Sequence, residues 1–249
     1  MTEPCYLRTQ RSATFASFYE RVYGKNLNQY GTADMEQIQI LLDVLRLKPG
    51  EEVLDAGCGT GEMTEYLAGV TGARFTGIDA ERAISNAQEG TRGNDGVRFL
   101  RGDMNALDGS LGSFDAVVAI ESLYFVKDLA ATFTQLKNVL RPRGRMGLFF
   151  TQVLRPDDPL EMLAGGETKT ARALTASGLT FQAHDLSESD RRFWARSQAV
   201  IAELGAQFEA EGISDLSNGR AGEGKALLDL AAQGRVRRYL YGVSCPATS

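Results

Sequence analysis

The chain has 249 residues, 43% of them hydrophobic and 24% charged, with a formal net charge of -5, three cysteines and one histidine. That composition predicts a globular domain with a sizeable core and argues against disorder. It also disfavours long nucleic acids as partners, which call for a broad basic surface, and Cys5, Cys58 and Cys245 lack the paired spacing of a structural metal site.

The N-terminal residues MTEPCYLRTQR contain no apolar leader, and no apolar run reaches the length of a membrane span. The expectation is a cytoplasmic protein, a monomer or homodimer, with no membrane and no nucleic-acid partner. Residues 1–48 read as a helical cap. Phe15, Phe18, Tyr19, Val22 and Tyr23 fall on one stripe, Met35, Ile38, Leu42 and Leu45 on another, and Pro49-Gly50 ends the block.

From 51 to 151 strand and helix signals alternate: Glu52–Asp55, Gly61–Val70, Arg74–Ile78, Glu81–Gln88, Val97–Arg101, Phe114–Ile120, Asp128–Val139 and Arg145–Phe150. Apolar runs such as AVVAI and MGLFF suit strands covered on both faces. The predicted fold is α/β, a doubly wound and mostly parallel seven-stranded sheet. Beyond it, a helix near 159–176 leads to a strand at Leu179–Ala183. Helices near 191–211 and 219–233, joined by a Gly-rich hinge at Gly212–Gly224, precede a last strand at Val236–Val243. The implied division is a cap (1–48), a core (49–185), a helical insertion (186–234) that acts as a lid, and a final core strand (235–249). The plainer reading of the insertion is a helical elaboration remote from any ligand.

The first strand runs into Asp55-Ala56-Gly57-Cys58-Gly59-Thr60-Gly61 and then directly into a helix. Glycines at such a turn permit left-handed backbone and close approach of a ligand, which every dinucleotide-binding turn shares. Asp55 separates the possibilities, because a carboxylate there repels a pyrophosphate and attracts an ammonium or sulfonium. VLDAGCGTG resembles the first motif of class I S-adenosylmethionine-dependent methyltransferases, acidic-x-Gly-x-Gly-x-Gly.

The resemblance covers about residues 51–151 and implies a cofactor, S-adenosylmethionine, leaving as S-adenosylhomocysteine. It implies that Asp55, Ala56, Gly57 and Gly59 line the methionine part and that Asp79, with Ala80, meets the ribose. Asp103 and the Met104 amide would meet the adenine. Tyr30 and Gly31, between the first helices, and Glu121, after the fourth strand, would close on the methionine end. The final strand is expected antiparallel. Each Asp also has a plainer use as a cap or turn residue, and Asp115, at the start of its strand, reads as structural.

Methyl transfer needs alignment more than a particular side chain, so a base is required only where the acceptor must lose a proton early. Glu121, Tyr124 and the single His184 are the candidate catalytic residues; His184 is the one imidazole, and a structural role is its plainer reading. The expected activity is methyl transfer to the N, O or C atom of a small molecule. The alternatives are a non-catalytic S-adenosylmethionine-binding regulatory or partner domain, and a nicotinamide-dependent reductase, which Asp55 disfavours. An aromatic acceptor pocket built from Phe15, Phe18, Tyr19 and Trp194 competes with an ordinary core stripe.

Overall fold

The computed structural model describes residues 5–29, 31–79, 95–107 and 111–245. Seven strands form one sheet: β1 (Glu52–Ala56), β2 (Arg74–Asp79), β3 (Val97–Arg101), β4 (Phe114–Ala119), β5 (Leu140–Val153), β6 (Thr180–Asp185) and β7 (Val236–Ser244). Their order is β3-β2-β1-β4-β5-β7-β6. Strands β1 to β5 pair in parallel, whereas β7 runs antiparallel to both β5 and β6. The chain therefore winds outward from β1 to β3 and returns to lay β4 on the other side of β1. The reversal opens a crevice at the carboxyl ends of β1 and β4, where ligands bind in open α/β sheets.

Nine helices pack around this sheet among the described residues: α1 (Cys5–Gln10), α2 (Ala13–Tyr23), α3 (Met35–Leu45), α4 (Glu62–Thr71), α5 (Leu129–Asn138), α6 (Lys169–Ala176), α7 (Ser187–Glu203), α8 (Gly205–Ala210) and α9 (Ser214–Ala232). The helix expected at Glu81–Gln88 lies outside the described residues. Two apolar cores cover the two sheet faces. One gathers Ile38 and Leu41 of α3 and Leu67 of α4 against Val53, Phe75 and Phe149; the other gathers Phe133, Leu136, Ala171 and Leu174 of α5 and α6 against Leu54, Val117 and Leu148.

A third core lies apart from the sheet, where Phe15, Phe18, Tyr19, Val22 and Tyr23 of α2 pack on Phe193, Trp194, Val200 and Ile201 of α7 and on Phe208. The aromatic stripe of α2 is thus buried against the insertion, so the two helical segments share one apolar core. Each such side chain contributes roughly 1.5–3 kcal/mol when removed from water. Capping fixes where the N-terminal helices begin and end. The Ser12 hydroxyl accepts the Phe15 N–H at 2.9 Å, and Gly24 closes α2 in left-handed conformation. Asp34 caps α3 through the Gln37 N–H at 3.0 Å.

Three local expectations need correction. The segment 159–176 is not one helix: a 3-10 turn at Leu160–Leu163 precedes α6, which starts only at Lys169. Between them Gly165 presses on the sheet, where a Cβ would stand 2.9 Å from Ala183 Cβ. The single helix expected at 191–211 is two, broken between Glu203 and Gly205. The Gly-rich stretch is no hinge either, because α9 runs unbroken through Gly219, Gly222 and Gly224. At Gly224 a Cβ would stand 2.7 Å from the Trp194 ring, so that glycine permits close contact between α9 and α7. Packing here overrides the poor helix propensity of glycine.

Candidate active site

At the carboxyl end of β1 the chain turns through Gly57 (φ +85°), Gly59 (φ +58°) and Gly61 (φ +94°) before α4 begins. Two of these glycines do different work. A Cβ on Gly57 would stand 2.3 Å from Ser122 Cβ, so the turn lies flush against the end of β4. Ser122 Oγ in turn donates to the Ala56 carbonyl at 2.5 Å. A Cβ on Gly59 would meet nothing within 4 Å, and that glycine faces open space. The N–H groups of Gly57 and Cys58 both donate to the Ile78 carbonyl, at 2.9 and 3.0 Å, and the Gly59 N–H donates to Asp79 Oδ2 at 2.8 Å. The loop is thereby stapled to β2.

Asp55 is 2% exposed and takes the Thr64 hydroxyl at 2.6 Å. It lies beneath the turn as an anchor for α4. Burial pushes its carboxyl up to about 7; the Thr64 hydrogen bond opposes that rise, and the negative charge of Asp79 adds to it. Burial also raises the Cys58 thiol, with Asp55 and Asp79 adding to the rise, so this cysteine is held as an inert thiol.

Asp79 closes β2, with Gly102 N–H on its carbonyl at 3.0 Å. Asp103 accepts the Asn105 N–H and the Asn105 amide, both at 2.8 Å and both on Oδ1, forming an Asx turn. These hydrogen bonds hold its carboxyl below the usual range. Met104 reaches back toward Gly57: its Cε lies 3.3 Å from where a Gly57 Cβ would stand. Ala80 and Tyr30 lie outside the described residues.

Past β4, Glu121 adopts left-handed backbone (φ +60°), an uncommon conformation for a side chain without a local bond to favour it. Its carboxylate Oε1 accepts from Arg238 Nη2 and, at 3.5 Å, from the Thr32 hydroxyl. Gly31 closes on it, since a Cβ there would stand 2.0 Å from Glu121 Cγ.

Arg238 is 1% exposed. It donates also to Gln37 Oε1 (2.7 Å) and Thr151 Oγ1 (3.1 Å), lies 3.6 Å from Asp190 Oδ1, and sits over the Phe149 ring. Glu121 is therefore a fixed carboxylate, braced by a cation that spans from β7 to the end of β4. Tyr124, in the 3-10 turn that follows, accepts the Thr151 N–H at 2.7 Å and stacks at 4.8 Å on Phe150. Burial of its hydroxyl and the nearby Glu121 charge raise the phenol, which keeps its proton near neutral pH.

The structure brings Gly31, Gly57, Gly59, Asp79, Met104, Glu121 and Tyr124 to one end of the sheet. His184 is elsewhere. It sits on edge strand β6, paired with Leu240, and a Cβ on Gly242 would stand 3.7 Å from its Nε2. Four strand spacings of about 4.8 Å put β6 about 19 Å from β1. Asp115 is structural: it accepts the Glu52 N–H at 2.9 Å and pairs with Arg141 at 2.5 Å.

Arg238, Gln37, Thr151 and Asp190 are residues that the sequence reading missed. A signal for Arg238 was present, since Arg237 and Arg238 are adjacent on one strand and neighbouring strand residues face opposite ways. The two cannot share one face of the sheet.

A family model described as a methyltransferase domain matches residues 53–144. Over 149 residues the chain is 33% identical to the 27-O-demethylrifamycin SV methyltransferase of Amycolatopsis mediterranei, covering 54% of this chain and 54% of that protein. It is 32% identical over 123 residues to a sterol 24-C-methyltransferase of Gibberella zeae, covering 45% of this chain and 31% of that one. The chain thus spans about half or less of these curated relatives. Among solved structures, phosphoethanolamine N-methyltransferase 2 of Haemonchus contortus, bound to phosphomonomethylethanolamine and S-adenosylhomocysteine, superposes with a TM-score of 0.76. It is 18% identical, over 98% of this chain and 60% of that one. These similarities agree with the sheet order and the antiparallel β7.

Proposed function

We propose, for a chain that carries a methyltransferase domain over residues 53–144 and has the class I fold, that it is an S-adenosylmethionine-dependent methyltransferase acting on a small molecule. The observation that carries the reading is the character of the turn: Gly59 open to a ligand, a carboxylate beneath it and another beside it, and no lysine or arginine from Asp55 to Met63. A pyrophosphate would meet the Asp79 carboxylate and no basic side chain of the turn itself, whereas a sulfonium and an ammonium would be welcome there. When bound, the cofactor supplies a methyl group on a cationic sulfur.

The residues of this chain do the positioning. Gly57 and Gly59 let the ligand approach the main chain, with Asp55 and Ala56 forming the floor beneath it. Asp79, with the adjoining Ala80, serves the ribose hydroxyls. Asp103 and the Met104 N–H serve the adenine edge, and Tyr30 and Gly31 close over the methionine end. Glu121, pinned by Arg238, offers a fixed carboxylate to an amino or hydroxyl hydrogen. Tyr124 takes the Thr151 N–H on its oxygen, so its own proton is available to an acceptor oxygen. His184 has no part at this end of the sheet.

Alignment of reactants in this way is worth up to roughly 7–11 kcal/mol of barrier. The same reading has residues 1–48 and 186–234 covering a core made of 49–185 and 235–249. It has a cytoplasmic monomer or homodimer without membrane or nucleic-acid partners. Three free cysteines suit a reducing compartment, and the net charge of -5 suits a small acceptor. Among the described residues no helix is long and apolar enough to cross a membrane.

Calorimetric titration with S-adenosylhomocysteine tests the reading. The wild type is expected to bind saturably, and Asp79→Ala to bind about 10- to 100-fold more weakly, the loss of hydrogen bonds to a charged group. Asp79→Asn, which keeps an acceptor for the Gly59 N–H, separates loss of ribose contacts from damage to the loop. Binding of NADPH with no binding of the adenosyl ligand would overturn the proposal.

A further inference from the structure

A pocket of about 340 Å³ lies between the N-terminal helices α1 and α2 and helix α9 of the insertion, within the usual size of small-molecule sites. Phe15, Phe18, Tyr19 and Tyr23 supply aromatic walls. One peptide separates it from Glu121. On the pocket side the Gly31 carbonyl accepts the Tyr23 hydroxyl at 2.7 Å and Arg220 Nη2 at 2.6 Å; on the other side Gly31 abuts Glu121.

The polar groups around this pocket are not equivalent. Both carboxylates in its lining are occupied by arginines: Asp215 takes two bonds from Arg8, at 2.6 and 2.7 Å, and Glu223 takes Arg220 at 2.9 Å. The Thr9 hydroxyl is engaged with the Tyr6 carbonyl and Asn28 Oδ1, both at 3.0 Å. Gln29 differs. Its Oε1 accepts the Leu27 N–H at 3.2 Å, but its Nε2 is buried with no hydrogen-bond partner. An unsatisfied buried donor asks for an acceptor atom.

The charge balance points the same way. With the Arg220 guanidinium held 4.6 Å over the Trp194 ring beside the pocket, an ammonium ligand would meet a cation and no unpaired carboxylate in the lining. Aromatic walls without such a charge suit a flat apolar body.

We infer that this pocket binds a planar, conjugated compound carrying a carbonyl or hydroxyl oxygen, not an ammonium compound, with Gln29 Nε2 donating to that oxygen. The inference rests on the pocket alone and not on the methyltransferase reading. Gly219 provides a clean test, since it lines the pocket within α9 and a Cβ there would meet nothing within 4 Å. Leucine at that position fills the space and favours the helix.

Equilibrium dialysis with coumarin, naphthalene and choline, at matched concentrations, gives the readout. Wild type is expected to bind coumarin and not choline. Gly219→Leu is expected to lose coumarin binding at least about tenfold with a thermal midpoint unchanged or raised, and Gln29→Leu to weaken coumarin about tenfold while leaving naphthalene unchanged. No coumarin binding by the wild type, preference for choline, or indifference to Gly219→Leu overturns the inference. S-adenosylhomocysteine binding, measured on the same proteins, separates the two readings. If it is absent while coumarin binding behaves as expected, the methyltransferase proposal fails and the pocket assignment stands.

Discussion

Two arginines, one buried and one half-buried, lie on either side of the contact between Gly31 and Glu121, and they are held in opposite ways. Arg238, on the sheet side, is enclosed by Gln37 of α3, Thr151 of β5, Glu121 after β4 and Asp190 of α7. Arg220, on the cover side, is bonded to a carbonyl and a phenol, stacked on Trp194, and paired with Glu223, whose side chain is 51% exposed. The first has two carboxylates from different elements buried beside it, so removing its charge strands them. The second leans on neutral groups and on one carboxylate that water already reaches. An arginine is therefore part of the framework in one region and a tie between two layers in the other.

The widest separation between the regions is expected from the same substitution made in both. Arg238→Met should destabilise the protein by about 3–5 kcal/mol, the cost of leaving buried carboxylates unpaired. Arg220→Met should cost about 1–3 kcal/mol. Urea unfolding of the two variants measures the difference, and equal losses would erase the distinction. Adding Glu121→Gln should recover part of the loss in Arg238→Met and nothing in Arg220→Met.

A smaller and pH-dependent effect is expected at Asp190. Burial pushes its carboxyl up to about 6 against the pull of Arg238. A carboxyl whose folded value is raised binds its proton more tightly when folded, so stability falls as pH rises from about 4 through 6. Asp190→Asn should match the wild type near pH 4 and exceed it by about 1–3 kcal/mol at pH 8. Thermal melts across that range decide the sign, and a gain confined to acid would refute the assignment.

The smallest contrast lies within α9. Gly224→Ala should lower stability by about 1–3 kcal/mol because its Cβ would stand 2.4 Å from Gln198 Nε2 and 2.7 Å from Trp194. Gly222→Ala, whose Cβ would meet nothing within 4 Å, should raise it by about 1 kcal/mol through helix propensity. Paired melting curves would show opposite shifts, and two gains would mean that α9 does not press on α7.

The glycine turn and the doubly wound, mostly parallel sheet were legible before any coordinates, as was the structural use of Asp115, and the antiparallel last strand was expected from the family resemblance. Gly57, Gly59 and Gly61 adopt positive φ, a local demand that residue type alone reveals. Asp55 was legible as a charge but not as an anchor, because its partner Thr64 is defined by where α4 lies. The glycines of 212–224 were misread as a hinge because the packing of α9 on α7, which places Gly224 against Trp194, is not visible along a lone chain.

The sequence by itself determined what short-range stereochemistry determines: apolar alternation, turn residues, and an acidic turn lacking a basic side chain. Tertiary structure alone decided which distant groups meet. It joined α2 to α7, set Arg238 under Glu121 across 117 residues of chain, and carried His184 to an edge strand away from the crevice. The physical reason is that strand pairing and helix packing fix side chains to within ångströms at separations along the chain where propensity and periodicity carry no information.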